Sequence, residues 1–329
     1  MHLTMATGAV LAGCLLAGGA GAAAQPASAP APAVPLTLVT DAYPTASPDG
    51  ARIAFQSNRT GRFELFIANA DGSGRRQLTN RPDDNVSPVW SPAGTQIAFS
   101  GNEGARVDIY VINVDGTGLR RLTTAAADNS HPSWSADGTR IFFSSNFETP
   151  DPALDWSRQH HDIYSIGPDG SGLRRHTRCE AVCTYPSPSP DGRWIAYRKI
   201  VTTPGFNWDL SSASRNSEVF IARIDGSEER NLSNSAAFDG WPAWSPDGAR
   251  IAYASNRAGP INTGHIYVVT VDGKQIVQAT GGTWSHSQPR WTPDGKSLLV
   301  YRHLEQDGTE FGHIARVPLP VTPRMASSF

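Results

Sequence analysis

The sequence predicts an all-β fold: a six-bladed β-propeller of four-stranded antiparallel blades. Three observations predict it. The motif Pro-x-x-(Ser/Thr)-x-x-Gly recurs six times, starting at Pro44, Pro88, Pro132, Pro186, Pro242 and Pro289. In five units a second constant element follows, in which Glu64, Asp108, Asp162, Glu218 or His265 opens an apolar run that leads to Asp-Gly. Seven residues beyond that glycine stands Thr79, Thr123, Thr177, Ser233 or Thr280. Finally, an orphan apolar segment, Leu36-Thr37-Leu38-Val39, precedes the first unit, and the last unit runs out after Ile314-Ala315-Arg316-Val317 with no Asp-Gly. Repetition at roughly 40–50 residues marks a stacked array or a propeller. An orphan strand at one end and a vacancy at the other predict that the amino-terminal strand completes blade 6 and closes the ring, which removes exposed edges.

Each unit supplies four strands. The first begins around the motif proline, which cannot donate to a ladder and so belongs at a strand start or an edge. The innermost strand of a blade, with one edge on the central channel, meets that condition. Trp90, Trp134, Trp244 and Trp291 follow four of these prolines by two residues and are expected to pack between blades. Ser-Pro-Asp-Gly then suits a tight turn, because proline presets φ and glycine accepts the exit geometry. The second strand carries the apolar triplets Ile53-Ala54-Phe55, Ile97-Ala98-Phe99, Ile141-Phe142-Phe143, Ile195-Ala196-Tyr197, Ile251-Ala252-Tyr253 and Leu298-Leu299-Val300. The third strand starts at the acidic or His position and ends at Asp-Gly, a hairpin signal before the short outer strand. No segment holds a helical period.

The chain has 329 residues and a formal net charge of −2. Acids balance bases and no basic run appears, which argues against nucleic acid as a partner. Residues 1–24 read as an export signal, with an apolar stretch from Met5 to Ala20 ahead of the small-residue site Ala22-Ala23-Ala24. The stretch is short and glycine-rich for a membrane span, so the mature chain is expected to carry none and to be periplasmic or secreted. In an alternative reading, Leu11-Ala12-Gly13-Cys14 resembles a lipobox and Cys14 becomes the lipidated first residue of an outer-membrane lipoprotein. The apolar residues after Cys14 argue against it. Residues 25–35 form a Pro/Ala-rich linker, residues 36–318 the propeller and residues 319–329 a carboxy-terminal tail. Cys179 and Cys183 are expected to form a local disulfide in an oxidising compartment, with two free loop thiols as the alternative.

Length variation points to the functional face. It falls almost entirely between the second and third strands: 14 residues from Gly50 to Glu64 and from Gly94 to Asp108, but 24 from Gly138 to Asp162 and 26 from Gly192 to Glu218. In an up-and-down blade these loops share one rim with the links between blades, so the insertions Phe147–His161 and Lys199–Ser217 crown that rim. Loops on a rigid scaffold commonly carry binding. The residues ahead of each motif proline should line the channel mouth there. Three positions before it stand Asp41, Asn85, Asn129, Cys183, Asp239 and His286. One position before it stand Tyr43, Ser87, His131, Tyr185, Trp241 and Gln288. Asp41, Tyr43, Asn85, Asn129, His131, Tyr185, Asp239, Trp241, His286 and Gln288 are the candidate binding residues, in a mixture suited to a polar ligand or a partner's extended segment. A channel lining that makes only structural hydrogen bonds is the competing reading.

No Gly-x-Ser-x-Gly elbow, HExxH, P-loop or dinucleotide fingerprint occurs. No catalytic residue, cofactor or metal is therefore assigned. His160 and His161 lie beside Asp155 and Asp162, but neighbouring side chains in a strand point oppositely, which makes them poor joint metal ligands.

The pattern P-x-W-S-P-D-G … I-A-F … D-I-Y-V … D-G … L-T resembles the WD-type (PD) repeats of the TolB carboxy-terminal propeller, over about residues 36–317. Similar repeats occur in propellers attached to serine peptidases and in oligogalacturonate lyases. TolB carries a separate α/β domain before its propeller, for which no counterpart is expected here, so a Tol-Pal role does not simply transfer. Together with the export signal and the insertions, the expected function is an exported, monomeric, non-catalytic TolB-like scaffold of the bacterial cell envelope that takes an envelope protein or small polar ligand on its insert-bearing face. The alternative is a channel-site carbohydrate-active enzyme resembling oligogalacturonate lyase, built on His131, His286 and Gln288. Those lyases use a channel metal held by His and Gln, and the histidines here do not reproduce that cluster.

Overall fold

The computed structural model describes residues 39–104, 106–124, 127–149, 160–202, 216–258, 263–306 and 309–319. Among them there is no helix. The strands form six antiparallel meanders, five with four strands and the last with three. The inner strands Asp41–Ala46, Asn85–Trp90, Asn129–Trp134, Val182–Pro188, Asp239–Trp244 and Ser285–Trp291 open blades 1 to 6. Each inner strand contacts the next around the axis, and that of blade 6 contacts that of blade 1. The ring is therefore closed.

Closure is built from six apolar seams, one per blade pair. Trp90 of blade 2 packs on Ala54, Leu65 and Ile67 of blade 1. Trp134 packs on Ala98 and Ile109, Trp244 on Ala196 and Val219, and Trp291 on Ala243, Ala252 and Ile266, in each case from one blade onto the one before. All four tryptophans are buried, as expected. The blade 4 motif has Pro188 at this position, and Phe142 and Ile163 meet Ile195 and Tyr197 across its seam. The closing seam joins Phe55 and Phe66 of blade 1 to Leu299 of blade 6. Removing one such large aromatic side chain from a core costs about 3–5 kcal/mol. The outer strand position of blade 6 was assigned to Leu36-Thr37-Leu38-Val39, of which residues 36–38 lie outside the described residues.

The constant residues of the repeat hold the blade together at its rims. In the Ser/Thr-x-x-Gly turn that ends each motif the glycine is left-handed, with φ from 65° to 70° in all six blades, which explains why no other residue type stands there. The acid at the start of the third strand accepts from the hydroxyl of the outer strand: Thr79 to Glu64 at 2.6 Å, Thr123 to Asp108 at 2.6 Å, Thr177 to Asp162 at 2.8 Å and Ser233 to Glu218 at 2.6 Å. The same hydroxyl accepts from the backbone N–H after the acid, as for Ile109 at 3.0 Å. One polar cluster thus satisfies two buried groups in each of blades 1 to 4.

Candidate functional site: an aromatic ring on the propeller axis

The residue immediately before each motif proline adopts a left-handed backbone conformation. φ is 51° at Tyr43, 55° at Ser87, 57° at His131, 57° at Tyr185, 54° at Trp241 and 55° at Gln288. At the same place in all six blades the register between the first and second strands shifts, which marks a β-bulge. A non-glycine residue in this region costs about 1–2 kcal/mol. Three of the freed amides are paired to the preceding blade. Tyr43 N–H donates to Gln288 Oε1 at 2.8 Å, Ser87 N–H to Gln56 Oε1 at 2.9 Å and His131 N–H to Ser100 Oγ at 3.1 Å.

The bulges bring side chains from distant blades together on the axis. The Tyr43 and Tyr185 hydroxyls are 3.3 Å apart, and Trp241 Nε1 donates to the Tyr43 hydroxyl at 3.4 Å. The His131 ring lies on Tyr185 with centroids 3.7 Å apart, and Trp241 meets Tyr185 edge-on at 5.7 Å. The guanidinium of Arg198, only 1% exposed, lies 5.2 Å from the Tyr185 centroid. Arg198 and Phe238 close over Gly240, where an added Cβ would come within 2.9 Å of Phe238. Burial raises the Tyr43 hydroxyl well above its ordinary pKa, helped by Tyr185. It lowers His131 well below the usual histidine value, helped by Arg198, His161 and Arg290. The imidazole of His131 is therefore neutral at pH 7.

Sequence reasoning placed a second ring three residues before each proline, and here the structure sends the side chains elsewhere. Asn85 and Asn129 are fully buried and donate to the third-strand acid of the preceding blade: Asn85 to Glu64 at 2.9 Å, Asn129 to Asp108 at 3.2 Å. Asp239, also fully buried, accepts from Arg257 at 2.9 Å, and burial pushes its carboxyl up to about 6. Asp41 accepts both of its bonds from Arg59, at 2.6 and 2.8 Å. Cys183 is bonded to Cys179, so the fourth blade has a covalent link at this position. His286 sits in a small pocket between blades 5 and 6, lined also by Phe238, Trp241, Asn256 and His303. Its ring centroid is 6.1 Å from that of His265, and burial lowers it to about 4. Asn85, Asn129 and Cys183 tie blade to blade, Asp41 and Asp239 bind arginines of their own blades, and His286 fills a seam; the bulge breaks the two-residue alternation that would have turned them toward the axis.

The three residues of the enzyme reading have different partners. His131 is stacked on Tyr185 and bonded through Nδ1 to Ser144 Oγ at 3.0 Å, His286 lies in its seam, and Gln288 is engaged by the Tyr43 amide. Among the described residues no three His, Cys, Asp or Glu side chains are placed to hold a metal ion. His160 is exposed while His161 is buried, consistent with their pointing oppositely. Most of the two long insertions, residues 150–159 and 203–215, lies outside the described residues. Their flanks do not: the second-to-third-strand hairpin of blade 4 runs out to Thr202 and back from Asn216. Cys14 also lies outside.

One position of the repeat carries an outlier. The position after each motif proline holds Thr45, Val89, Ser133, Ser187, Ala243 and Arg290. Five are small or short, and the sixth is an arginine whose charge acts on Tyr43, Tyr185 and His131, in blades 1, 4 and 3. The break in an otherwise small tier was visible in the aligned repeats.

Comparison with known proteins matches the TolB beta propeller domain over residues 39–151 and 209–317. An uncharacterised protein of Agrobacterium fabrum is 27% identical over 161 residues, 49% of this chain and 49% of that protein. A "Protein TolB homolog" of Chlorobium luteolum is 28% identical over 128 residues, 30% of this chain and 29% of that one. The chain thus spans half or less of the curated relatives it matches. Among solved structures, a putative TolB from Agrobacterium tumefaciens superposes with a TM-score of 0.61 at 22% identity, covering 85% of this chain and 91% of that one. An oligogalacturonate lyase in complex with manganese superposes with a TM-score of 0.56 at 14% identity, covering 86% and 91%. Both show the shared fold.

Proposed function

The chain belongs to the TolB beta propeller domain family, and from that premise we propose that it is an exported, non-catalytic scaffold that binds a protein or small polar ligand on the rim carrying its long insertions. The observation that carries the reading is the meeting of Tyr43, His131, Tyr185 and Trp241 on the axis. Backbone strain held at six matched positions aims aromatic side chains where a seam-filling role would not need them. Large amphipathic aromatics combine apolar area with a polar tip, the combination favoured in binding surfaces. The rim is the one reached by the blade 4 strands that end at Thr202 and resume at Asn216. Export is supported by the apolar amino-terminal stretch and by the bonded pair Cys179–Cys183.

The test is affinity capture from a cell-envelope extract. Wild-type protein, Trp241→Ala, a variant with residues 203–215 replaced by a short Gly-Ser turn, and an opposite-rim control, Asp71→Lys, are compared. Retention of the same proteins by all four would overturn the assignment of the face. Loss from the first two variants alone is the expected result.

A further inference from the structure

We propose that the pocket between blades 5 and 6 is a binding site for a phenolic ring, with His286 as the partner of its hydroxyl. The proposal rests on the binding reading above and names the chemistry of one ligand group. Two other seams show what the same positions do elsewhere in the ring. Between blades 1 and 2, and between blades 2 and 3, a third-strand carboxylate pairs with an inner-strand amide: Glu64 with Asn85 at 2.9 Å and Asp108 with Asn129 at 3.2 Å. Between blades 5 and 6 these positions hold His265 and His286, 5% and 6% exposed. Their ring centroids stand 6.1 Å apart, and each Nδ1 is left without a hydrogen-bond partner among the described residues. Buried polar groups are nearly always paired, so two unpaired imidazole nitrogens in one seam call for an explanation. The pocket opens in that seam, and His286 lines it.

The lining selects the ligand. No Asp, Glu, Lys or Arg belongs to it. An anion finds no cation there, because burial lowers His286 to about 4 and leaves it neutral at pH 7. A cation finds no acid, and the Phe238 ring already has the Arg198 guanidinium 5.6 Å from its centroid. The ligand is therefore uncharged. Phe238 and Trp241 form an aromatic wall, with centroids 5.0 Å apart and planes at 51°, which suits a further flat ring. Polar groups of the lining are engaged: Ser285 Oγ accepts from the Gly264 amide at 3.0 Å, and Asn256 Oδ1 from the Phe238 amide at 2.9 Å. His286 keeps its unpaired nitrogen. A single hydroxyl matches that nitrogen in either tautomer, because O–H both donates and accepts. A phenol joins such a hydroxyl to a flat apolar ring. The pocket lies between Ser255, where the second strand of blade 5 ends, and His265, where the third begins, and so on the rim of the long insertions. The phenol can be a free small molecule or the tyrosine side chain of a partner's segment.

Isothermal titration of the full chain tests this. The probes are p-cresol with its hydroxyl-free analogue toluene, and N-acetyl-tyrosinamide with its hydroxyl-free analogue N-acetyl-phenylalaninamide. Both phenols, or one of them, should bind with a Kd below about 1 mM. Each analogue should bind about tenfold more weakly, because it leaves the imidazole unpaired. Binding of p-cresol alone identifies a small-molecule site; binding of the tyrosinamide alone identifies a tyrosine side chain. In NMR spectra of labelled protein the His286 ring signals should move when the phenol is added. His286→Phe, which keeps a ring and loses the nitrogens, should abolish the preference for the hydroxyl. If that variant does not fold, Ser287→Leu serves: it puts bulk into the pocket and should weaken the phenols about tenfold or more. Analogues that bind as well as the phenols, a preference that survives His286→Phe, phenol binding unchanged in Ser287→Leu, or no phenol binding at about 1 mM would each overturn the proposal. Envelope proteins still captured by wild type and lost when residues 203–215 are replaced would then leave the binding face standing while the phenol site falls.

Discussion

The hydroxyl of Tyr43 in blade 1 lies 3.3 Å from the hydroxyl of Tyr185 in blade 4, 142 residues away in sequence. Only a closed ring brings these two inner strands face to face, and only a bulge at the same place in both aims their rings at the axis. The left-handed conformation of the residue before each proline is therefore a property of the repeat, and the aromatic side chains are a property of this chain.

That distinction can be tested at Ser87, where φ is 55° and the side chain is small. Ser87→Val places a β-branched residue in a left-handed conformation and should cost about 2 kcal/mol. Ser87→Gly should cost nothing measurable, because relief of strain offsets the added freedom of the unfolded chain. Urea unfolding of the two variants gives the order directly. Equal costs would show that the bulge stores no strain.

The acid-to-hydroxyl clusters should differ in weight between blades. Thr123 satisfies Asp108 Oδ1 at 2.6 Å and the Ile109 amide at 3.0 Å, both buried. Thr123→Val strands both partners and should destabilise by about 2–4 kcal/mol. In blade 5 the acid is replaced by His265, and Thr280 accepts from the Ile266 amide at 2.8 Å. Thr280→Val should cost about 1–2 kcal/mol, since no carboxylate is stranded. Calorimetric unfolding of the pair checks the difference.

Much of this architecture was legible in the sequence because a repeat supplies its own alignment. The spacing of Pro44 to Gly50, met again in five more units, located the inner strands and their turns, and the four tryptophans read as seam residues are seam residues. Of the candidate ring, four of the residues one before each proline, Tyr43, His131, Tyr185 and Trp241, come together. Those three before do not, and the reason is local: positive φ at residues such as Tyr43 breaks the alternation of faces, so Asn85 turns back to Glu64 of the blade before. No propensity rule flags a tyrosine or tryptophan as left-handed.

The Cys179–Cys183 bond closes a loop with a sequence separation of 4 and fixes the entry of the chain into blade 4, where Glu180 is left-handed at φ 45°. Cross-linking so short a loop removes about 2 kcal/mol of unfolded-chain entropy. Reduction with dithiothreitol should lower the unfolding free energy by about that amount and leave the far-ultraviolet circular dichroism of the ring unchanged. A Cys183→Ser variant should be insensitive to the reductant. Sensitivity in that variant would place the effect outside this bond.

Acid and base terms inside the propeller oppose one another. Burial lowers His161 and His286 to about 4, against an ordinary histidine value of about 6.5. A lowered folded-state value means that the unfolded chain binds the proton first, so their contribution is present above pH 6.5 and is lost as pH falls toward 4, to a limit of about 3 kcal/mol each. Asp239 has the opposite sign. Its folded value is pushed up to about 6 against about 3.9 in an unfolded chain, so its contribution is present below pH 4 and lost as pH rises through 6, to a limit of about 3 kcal/mol. Two histidines outweigh one carboxyl, and the protein should lose stability between pH 7 and pH 4. Asp239→Asn separates the terms: the amide keeps the shape without the charge, so the variant should gain on wild type most at pH 8 and the gain should vanish by pH 4. Denaturant midpoints across this range decide the matter, and a gain that grows on acidification would mean that Arg257, 2.9 Å away, governs Asp239 more strongly than burial does.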